Sequence, residues 1–442
     1  MLLQFKTKNF RSIGDEQTID MRPSLERRHK ESIFNANSTS ALKAIGVYGK
    51  NASGKSNLVK AFHAMESIVR RSATKLSLGD PITPIEPFRL SAATITEPTT
   101  FEVTVVVENA TYVYGFSATH ERVHAEWLSV DEPKKKLCNW LKRDFSLESN
   151  ETVWNFKGPL NKTQDMTLLR EKTRDNGLAL SRGAELNIEA FKPLYLWFKK
   201  NFWVLDLSIP PSGLAFATAQ RSFKDNDFRE RVVGLLRDAD VGISGLQVSE
   251  TGVKRKSEDI PTDAPDEVRQ FLESLNKLVA NSSTTELSVK TEHVFWKDGK
   301  AETVAFDLES ESGGTKRFFA LANPILTALD DGDLLVIDEL DCSMHPNLTR
   351  KIVQLFLSTE FNKNGAQIIF VSHDSSLFSS KIFRRDQLWL TDKNEAGSTE
   401  FYSLEDIDKT PRKNEAFERR YLEGRYGGVP NFGPNFDALG AE

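Results

Sequence analysis

Cysteine is nearly absent from this chain. Two occur in 442 residues, Cys138 and Cys342, far apart and in no metal-ligand spacing. That excludes a disulfide framework and a cysteine-based zinc site, and it fits a reducing compartment. Long apolar runs are missing too. No stretch approaches the ~20 residues of a membrane span, and the N-terminus, MLLQFKTKNFRSIG, has no apolar core of signal-peptide length. A cytoplasmic location without a membrane partner is therefore expected. Nor is there an excess of positive charge: 58 Lys and Arg stand against 63 Asp and Glu, a net charge of -5. DNA is a conceivable partner that the charge does not indicate, because binding it would need a local basic patch. The short runs at 134–136 and 254–256 read as solvated loops. No heptad is sustained over three or four repeats, which excludes a long coiled coil.

What remains is an ordinary globular composition, 39% hydrophobic and 27% charged, long enough for two or three domains or one with a large insertion. Residues 1–22 alternate polar and apolar, as two short strands around a turn at Gly14 would. The run AIGVYG then reads as a strand. After Lys55, the segment NLVKAFHAMESIVRRS sets Leu58, Ala61, Phe62 and Met65 on one helical face. Between 99 and 130 the period is two, with a turn at Asn109-Ala110 between antiparallel strands. From about 160 to 285 the chain is mostly helical in character, in NIEAFKPLYLWFKKNF, FRERVVGLLRDAD and PDEVRQFLESLNKLVAN. A hairpin around Asp298-Gly299 follows, and then two strand signals, at 333–340 and 366–374.

The stretch GKNASGKSN, 49–57, raises the question of a phosphate cradle against a small-residue turn. A cradle needs a strand before it and a helix after it, and both are there. In such a cradle the glycines let backbone N–H groups converge on phosphate oxygens at a helix start, and the ATP-binding residues are Gly49, Lys50, Asn51, Ala52, Ser53, Gly54, Lys55, Ser56 and Asn57. Lys55 would reach the β and γ phosphates, and Ser56 would hold Mg²⁺ through its hydroxyl. LLVIDEL supplies a strand buried on both faces that ends in two carboxylates. Asp338 fits as the Mg²⁺ partner through water, and Glu339 as the base that polarises the attacking water. IIFVSHD repeats the pattern and delivers His373, placed to hydrogen-bond the γ phosphate. Apolar strands ending in such groups converge where open α/β sheets bind ligands.

Ser312, Gly313, Gly314 and Thr315 precede an apolar helix about 25 residues upstream of Asp338-Glu339. In that position they resemble the signature motif of ABC-type ATPases, including the SMC and Rad50 relatives. The order of elements is similar throughout: glycine loop, insertion, signature, carboxylate strand, histidine strand, with ELDCSMHP as D-loop and Asp341 at the subunit boundary. More closely, the chain resembles the bacterial AAA15 family of ABC-type ATP/GTP phosphatases, on NFRSI, GKNASGKSNL, EPFRL, RDADVGI, ESGGTKR, VIDELDCSMHP, VSHD, RRDQLWL and YLEGRYGGVP. The resemblance implies an α/β fold, an ABC/SMC-like P-loop ATPase head of mixed sheet and helices with an antiparallel β subdomain and a mostly helical insertion. The expected division is 1–155, 156–285 and 286–442. It implies ATP and Mg²⁺, catalytic Lys55, Glu339 and His373, metal-holding Ser56 and Asp338, and a signature that acts in trans in a dimer or larger homo-oligomer. Members typically serve phage-defence and abortive-infection systems of the Rlo/AbiL and PARIS types, with a separately encoded effector. Two departures stand out: residues 86–90, EPFRL, take the place of a glutamine-bearing loop, and Glu311 replaces the signature's leading leucine.

Three functions compete at this point: a regulatory ATPase that controls an effector, an ATP-gated DNA clamp of the SMC/Rad50 kind in DNA repair, and an OLD-type nuclease. Only about 70 residues follow His373, too few for the nuclease's acidic metal domain. The Tyr-, Phe- and Arg-rich tail at 401–436 has an interface-like composition. It docks on a partner or packs on its own head.

Overall fold

Five short apolar runs lie side by side as parallel strands, and a sixth closes the edge antiparallel. The order across this sheet is Phe202–Asp206, Leu334–Asp338, Gln367–Val371, Ala44–Gly49, Leu388–Lys393, Thr399–Ser403. Every residue of Ala44–Gly49, Leu334–Asp338 and Gln367–Val371 is buried, as expected for strands covered on both faces. The structure, a computed structural model, describes residues 1–36, 39–133, 135, 137–207, 212–239, 242–253, 284–407 and 416–430. The chain divides into two compact units. The first comprises Met1–Ile209, Ile325–Cys342 and Pro346–Glu442, and the second Pro210–Pro324 and Ser343–His345.

In the first unit a seven-stranded antiparallel sheet joins the parallel one. Its order is Glu151–Phe156, Cys138–Ser146, Val123–Asp131, Ala110–Ala118, Thr99–Val107, Leu2–Lys8, Gln17–Asp20. The expected pairing of the first two strands is present, and the turn expected at Asn109-Ala110 falls one residue earlier, at Glu108-Asn109, with Ala110 already paired to Val107. Helix Lys55–Arg71 is held between the sheets and buries Leu58, Ala61, Phe62 and Met65. Phe62 stacks on Phe5 of the antiparallel sheet at 3.8 Å and meets Phe202 of the parallel sheet edge-on at 5.9 Å. Truncating it to alanine would cost about 3–5 kcal/mol.

Polar groups also tie this unit together. Glu126, fully buried, accepts from the amides of Ala179 and Leu180 at the start of helix Ala179–Glu185, from Tyr114 and from Arg143. The carboxylate thereby satisfies helix donors that would otherwise be orphaned. Arg384, also fully buried, pairs with Asp386 and donates to the carbonyls of Ser24, Glu26 and Arg28, while Gln387 donates to Ala44. RRDQLWL thus fastens the polar loop after the first strands to the start of the phosphate-loop strand.

The second unit holds helices Ser212–Lys224 and Asn226–Asp238 and the antiparallel sheet Ile243–Val253, Thr284–Lys297, Lys300–Asp307. Asp225 caps the second helix by accepting from Phe228 N at 3.0 Å. Asp298 and Gly299 turn the hairpin with φ of 49° and 75°, the pairing a tight two-residue turn needs. Among its described residues the stretch 160–285 therefore carries helices and, besides them, the strands Phe202–Asp206 and Ile243–Val253. Along the chain the units divide at 209/210, at 324/325 within helix Gly313–Asp331, at 342/343 and at 345/346; the division expected from sequence is 1–155, 156–285 and 286–442. The segment PDEVRQFLESLNKLVAN, the run 254–256, and Lys134 and Lys136 lie outside the described residues.

Candidate functional site

Strand Ala44–Gly49 runs into the glycine loop, and helix Lys55–Arg71 leaves it. The turn depends on positive φ at Gly49 (150°), Ala52 (62°) and Gly54 (113°). Neither glycine is replaceable on steric grounds. A Cβ on Gly49 would stand 2.3 Å from Thr391 Oγ1, and one on Gly54 would stand 2.2 Å from Thr399 Oγ1. Those threonines belong to the strands at the sheet's other edge and hold the loop: Ser53 Oγ bonds Thr391 Oγ1, and Thr399 Oγ1 donates to Ser53 O at 2.8 Å. Asn57 donates to Ser12 Oγ at 2.7 Å, tying the helix start to the NFRSI turn.

Lys55 folds over this loop, its ammonium donating to Gly49 O at 2.7 Å and Lys50 O at 3.0 Å. Burial pulls its pKa down to about 8, against the opposing influence of Asp338, Asp341 and Glu339. Asp338 ends the adjacent carboxylate strand. It is 4% exposed, its Oδ1 has no hydrogen-bond partner, and burial raises its pKa while a hydrogen bond from Ser56 opposes the rise. An orphaned, buried carboxylate oxygen beside a serine hydroxyl fits a hard cation. Among the described residues no group of three or more His, Cys, Asp or Glu could hold a metal unaided, so any Mg²⁺ here would share its shell with Ser56 and phosphate oxygens. Glu339 follows with φ of 53°, a left-handed conformation that costs a non-glycine residue about 1–2 kcal/mol. Its carbonyl accepts from Cys342 N at 2.9 Å.

His373 is exposed at the end of strand Gln367–Val371, and its amide donates to the Asp341 carboxylate at 3.2 Å. Lys55, Ser56, Asp338, Glu339, Asp341 and His373 thus come to one edge of the parallel sheet. The signature lies in the second unit, where Ser312 Oγ accepts from Thr315 N at 3.1 Å and caps helix Gly313–Asp331. A Cβ on Gly314 would stand 2.8 Å from Ser343 O. Glu311, in the leucine's place, is anchored by Thr291 Oγ1 at 2.5 Å and His293 Nε2 at 2.7 Å.

The sequence reading missed Asp206. It closes strand Phe202–Asp206 in register with Asp338, and its charge helps raise the Asp338 pKa. The available signal was FWVLD itself, an apolar run ending in an acid like LLVID. Residues 86–90, by contrast, bond the NFRSI turn: Arg11 pairs with Glu86, and Phe88 N donates to Asn9 Oδ1 at 2.8 Å.

Residues 45–379 match the family described as "AAA domain, putative AbiEii toxin, Type IV TA system". Among solved structures, the chain is similar to an SMC head, in "Crystal structure of the SmcHead bound to the C-winged helix domain of ScpA". The identity is 11%, over 92% of this chain and 99% of that one, with a TM-score of 0.39. It is also similar to RecF, in "Structure of the recombination mediator protein RecF-ATPrS in RecFOR pathway", at 16% identity over 91% and 98%, with a TM-score of 0.35. No curated protein sequence matches. Among the described residues no helix is long and apolar enough to cross a membrane.

Proposed function

The chain belongs to the AAA-domain family of AbiEii-type, type IV toxin–antitoxin proteins, and from that premise we propose that it is an ABC-type ATPase. In this reading it hydrolyses ATP at sites shared between subunits and acts as the regulatory ATPase of a bacterial anti-phage, abortive-infection system with a separate effector. The observation that carries the ATPase reading is the meeting of Ser56, Lys55 and the orphaned Asp338 oxygen at one sheet edge. The toxin–antitoxin setting of the family supports the defence role, since such systems pair one chain with a separately encoded partner.

Lys55 exchanges the carbonyls of Gly49 and Lys50 for the β and γ phosphates, neutralising charge that the loop's amides cannot. Ser56 and Asp338, with Asp206 beside them, would hold Mg²⁺, which would supply positive charge against the phosphates. Glu339 accepts a proton from the attacking water, and His373 hydrogen-bonds the γ phosphate. Ser312 and the amides of Gly313 and Gly314 of a second copy, with Thr315 beside them, would close the site at their helix start.

Two measurements test this. Glu339→Gln should keep ATP, stall hydrolysis and accumulate ATP-joined dimers by light scattering. Lys55→Ala and Gly314→Asp, each inactive alone, should regain some ATPase activity when mixed, because a mixed dimer keeps one intact site. Failure to recover, with mixed dimers confirmed by mass and Glu339→Gln monomeric in ATP, would refute the shared site.

A further inference from the structure

The tail motif YLEGRYGGVP has no role in the reaction just described, yet its described part, up to residue 430, packs directly on the phosphate loop. Phe417, 1% exposed, anchors the short helix Phe417–Leu422 beneath Arg28. Four residues on, the Tyr421 ring stacks on Phe378 at 4.7 Å and stands edge-on to Tyr48, the residue before Gly49. The Tyr421 hydroxyl donates to Gly428 O at 3.3 Å, and the Gly49 amide opposes the rise that burial gives its pKa. The chain then reverses through Gly427 and Gly428, with φ of 77° and 68°. A Cβ on Gly428 would lie 3.6 Å from Gly49 Cα and 3.3 Å from Leu390 Cδ2. One carboxylate completes the attachment: Asp392 pairs with Lys50 Nζ at 2.7 Å and accepts from Gly428 N at 3.4 Å.

We propose that residues 417–428 position the phosphate loop, with Tyr421 and Gly428 holding Gly49 and Lys50, so that nucleotide binding and tail seating strengthen each other. The proposal rests on the ATPase reading. Its physical basis is pre-organisation. Gly49 and Lys50 are the two residues whose carbonyls hold the Lys55 ammonium, and their backbone sets the direction in which the following amides point. A loop already fixed in its binding shape loses less entropy when phosphate arrives. Coupling between two sites is reciprocal: whatever the seated tail adds to nucleotide affinity, nucleotide returns to tail seating. Gly428 suits this role because a side chain there would meet both the left-handed backbone and the loop itself.

Tyr421→Phe is the sharp variant, since the ring stack on Phe378 survives and only the hydroxyl is lost. Without nucleotide, hydrogen exchange at the Gly49 amide should quicken. Binding of a non-hydrolysable ATP analogue with Mg²⁺ should weaken about three- to tenfold, as expected for one lost hydrogen-bonding group. In wild type, the analogue should slow tryptic cleavage at Arg420 and Arg425, and in Tyr421→Phe this protection should shrink. Gly428→Ala should behave the same way with a larger loss of affinity. A merely structural tail would lower the thermal midpoint of both variants and leave affinity, Gly49 exchange and nucleotide-dependent cleavage unchanged, which would overturn the proposal alone. Wild type that binds no nucleotide would overturn the ATPase reading, and this proposal with it.

Discussion

Lys55 offers a test in which one charge controls two observables with opposite signs. Burial lowers its pKa from 10.5 to about 8 in the nucleotide-free protein. Phosphates arriving beside the ammonium favour its charged form, so ATP binding above that pH must take up a proton. If only the protonated lysine binds, the apparent dissociation constant scales as one plus the ratio of neutral to charged lysine. That factor is about 1.1 near pH 7 and about 11 near pH 9, a roughly tenfold loss of affinity. With a pKa of 10.5 the same interval would change affinity by only a few per cent. The assay is titration of a non-hydrolysable fluorescent ATP analogue in EDTA, repeated in buffers of different ionisation enthalpy to count the proton taken up. Lys55→Arg, whose guanidinium stays charged, should show no such slope. Stability without nucleotide should move the other way. The unfolded lysine binds its proton more tightly, so between about 8 and 10.5 the unfolded state holds more protons and this group's contribution to stability rises with pH. A flat affinity profile in wild type, or an equal slope in Lys55→Arg, would refute the assignment of that proton to Lys55.

Gly54→Ala places a methyl group against Thr399 Oγ1 and Ser12 Oγ at a φ of 113°. Thr399 cannot retreat, because Ser53, Ser12 and Lys393 all bond its hydroxyl. The expected cost is about 2–4 kcal/mol, read as a lowered thermal midpoint together with lost nucleotide binding, and an unchanged midpoint would contradict the packing described. Asp206→Asn should raise the Mg²⁺ concentration needed for tight binding of the ATP analogue about tenfold while leaving metal-free binding intact, and an unchanged Mg²⁺ requirement would remove Asp206 from the site.

What could be read from sequence and what could not follows from how local the determining forces are. The phosphate loop was legible because its chemistry is contiguous: strand, glycines, lysine and helix lie within 28 residues, 44–71. LLVID and QIIFV were legible because a strand covered on both faces needs a run of apolar residues, which shows without knowledge of its neighbours. Asp206 was not, since its meaning comes from pairing with Asp338, 132 positions away, and FWVLD follows a helical stretch with no break of its own. Arg384 and Arg385 look like surface charge in RRDQLWL, yet they are 0% and 1% exposed. Their burial is tolerable only because carbonyls from residues 24–28, Asp386 and Leu404 receive their donors, and no periodicity encodes such partners. Glu311 belongs to the same class: it departs from an apolar expectation, and the strand carrying Thr291 and His293 supplies what a leucine would not need. The tail shows the limit most plainly. Its Tyr, Phe and Arg content marks a contact surface, but only the fold says that the surface its described part covers is the loop around Gly49. Asp338 makes the converse point. A buried carboxylate oxygen without a partner costs stability, and a sheet built for stability alone would carry an apolar residue there, so the cost itself points to a function at that edge.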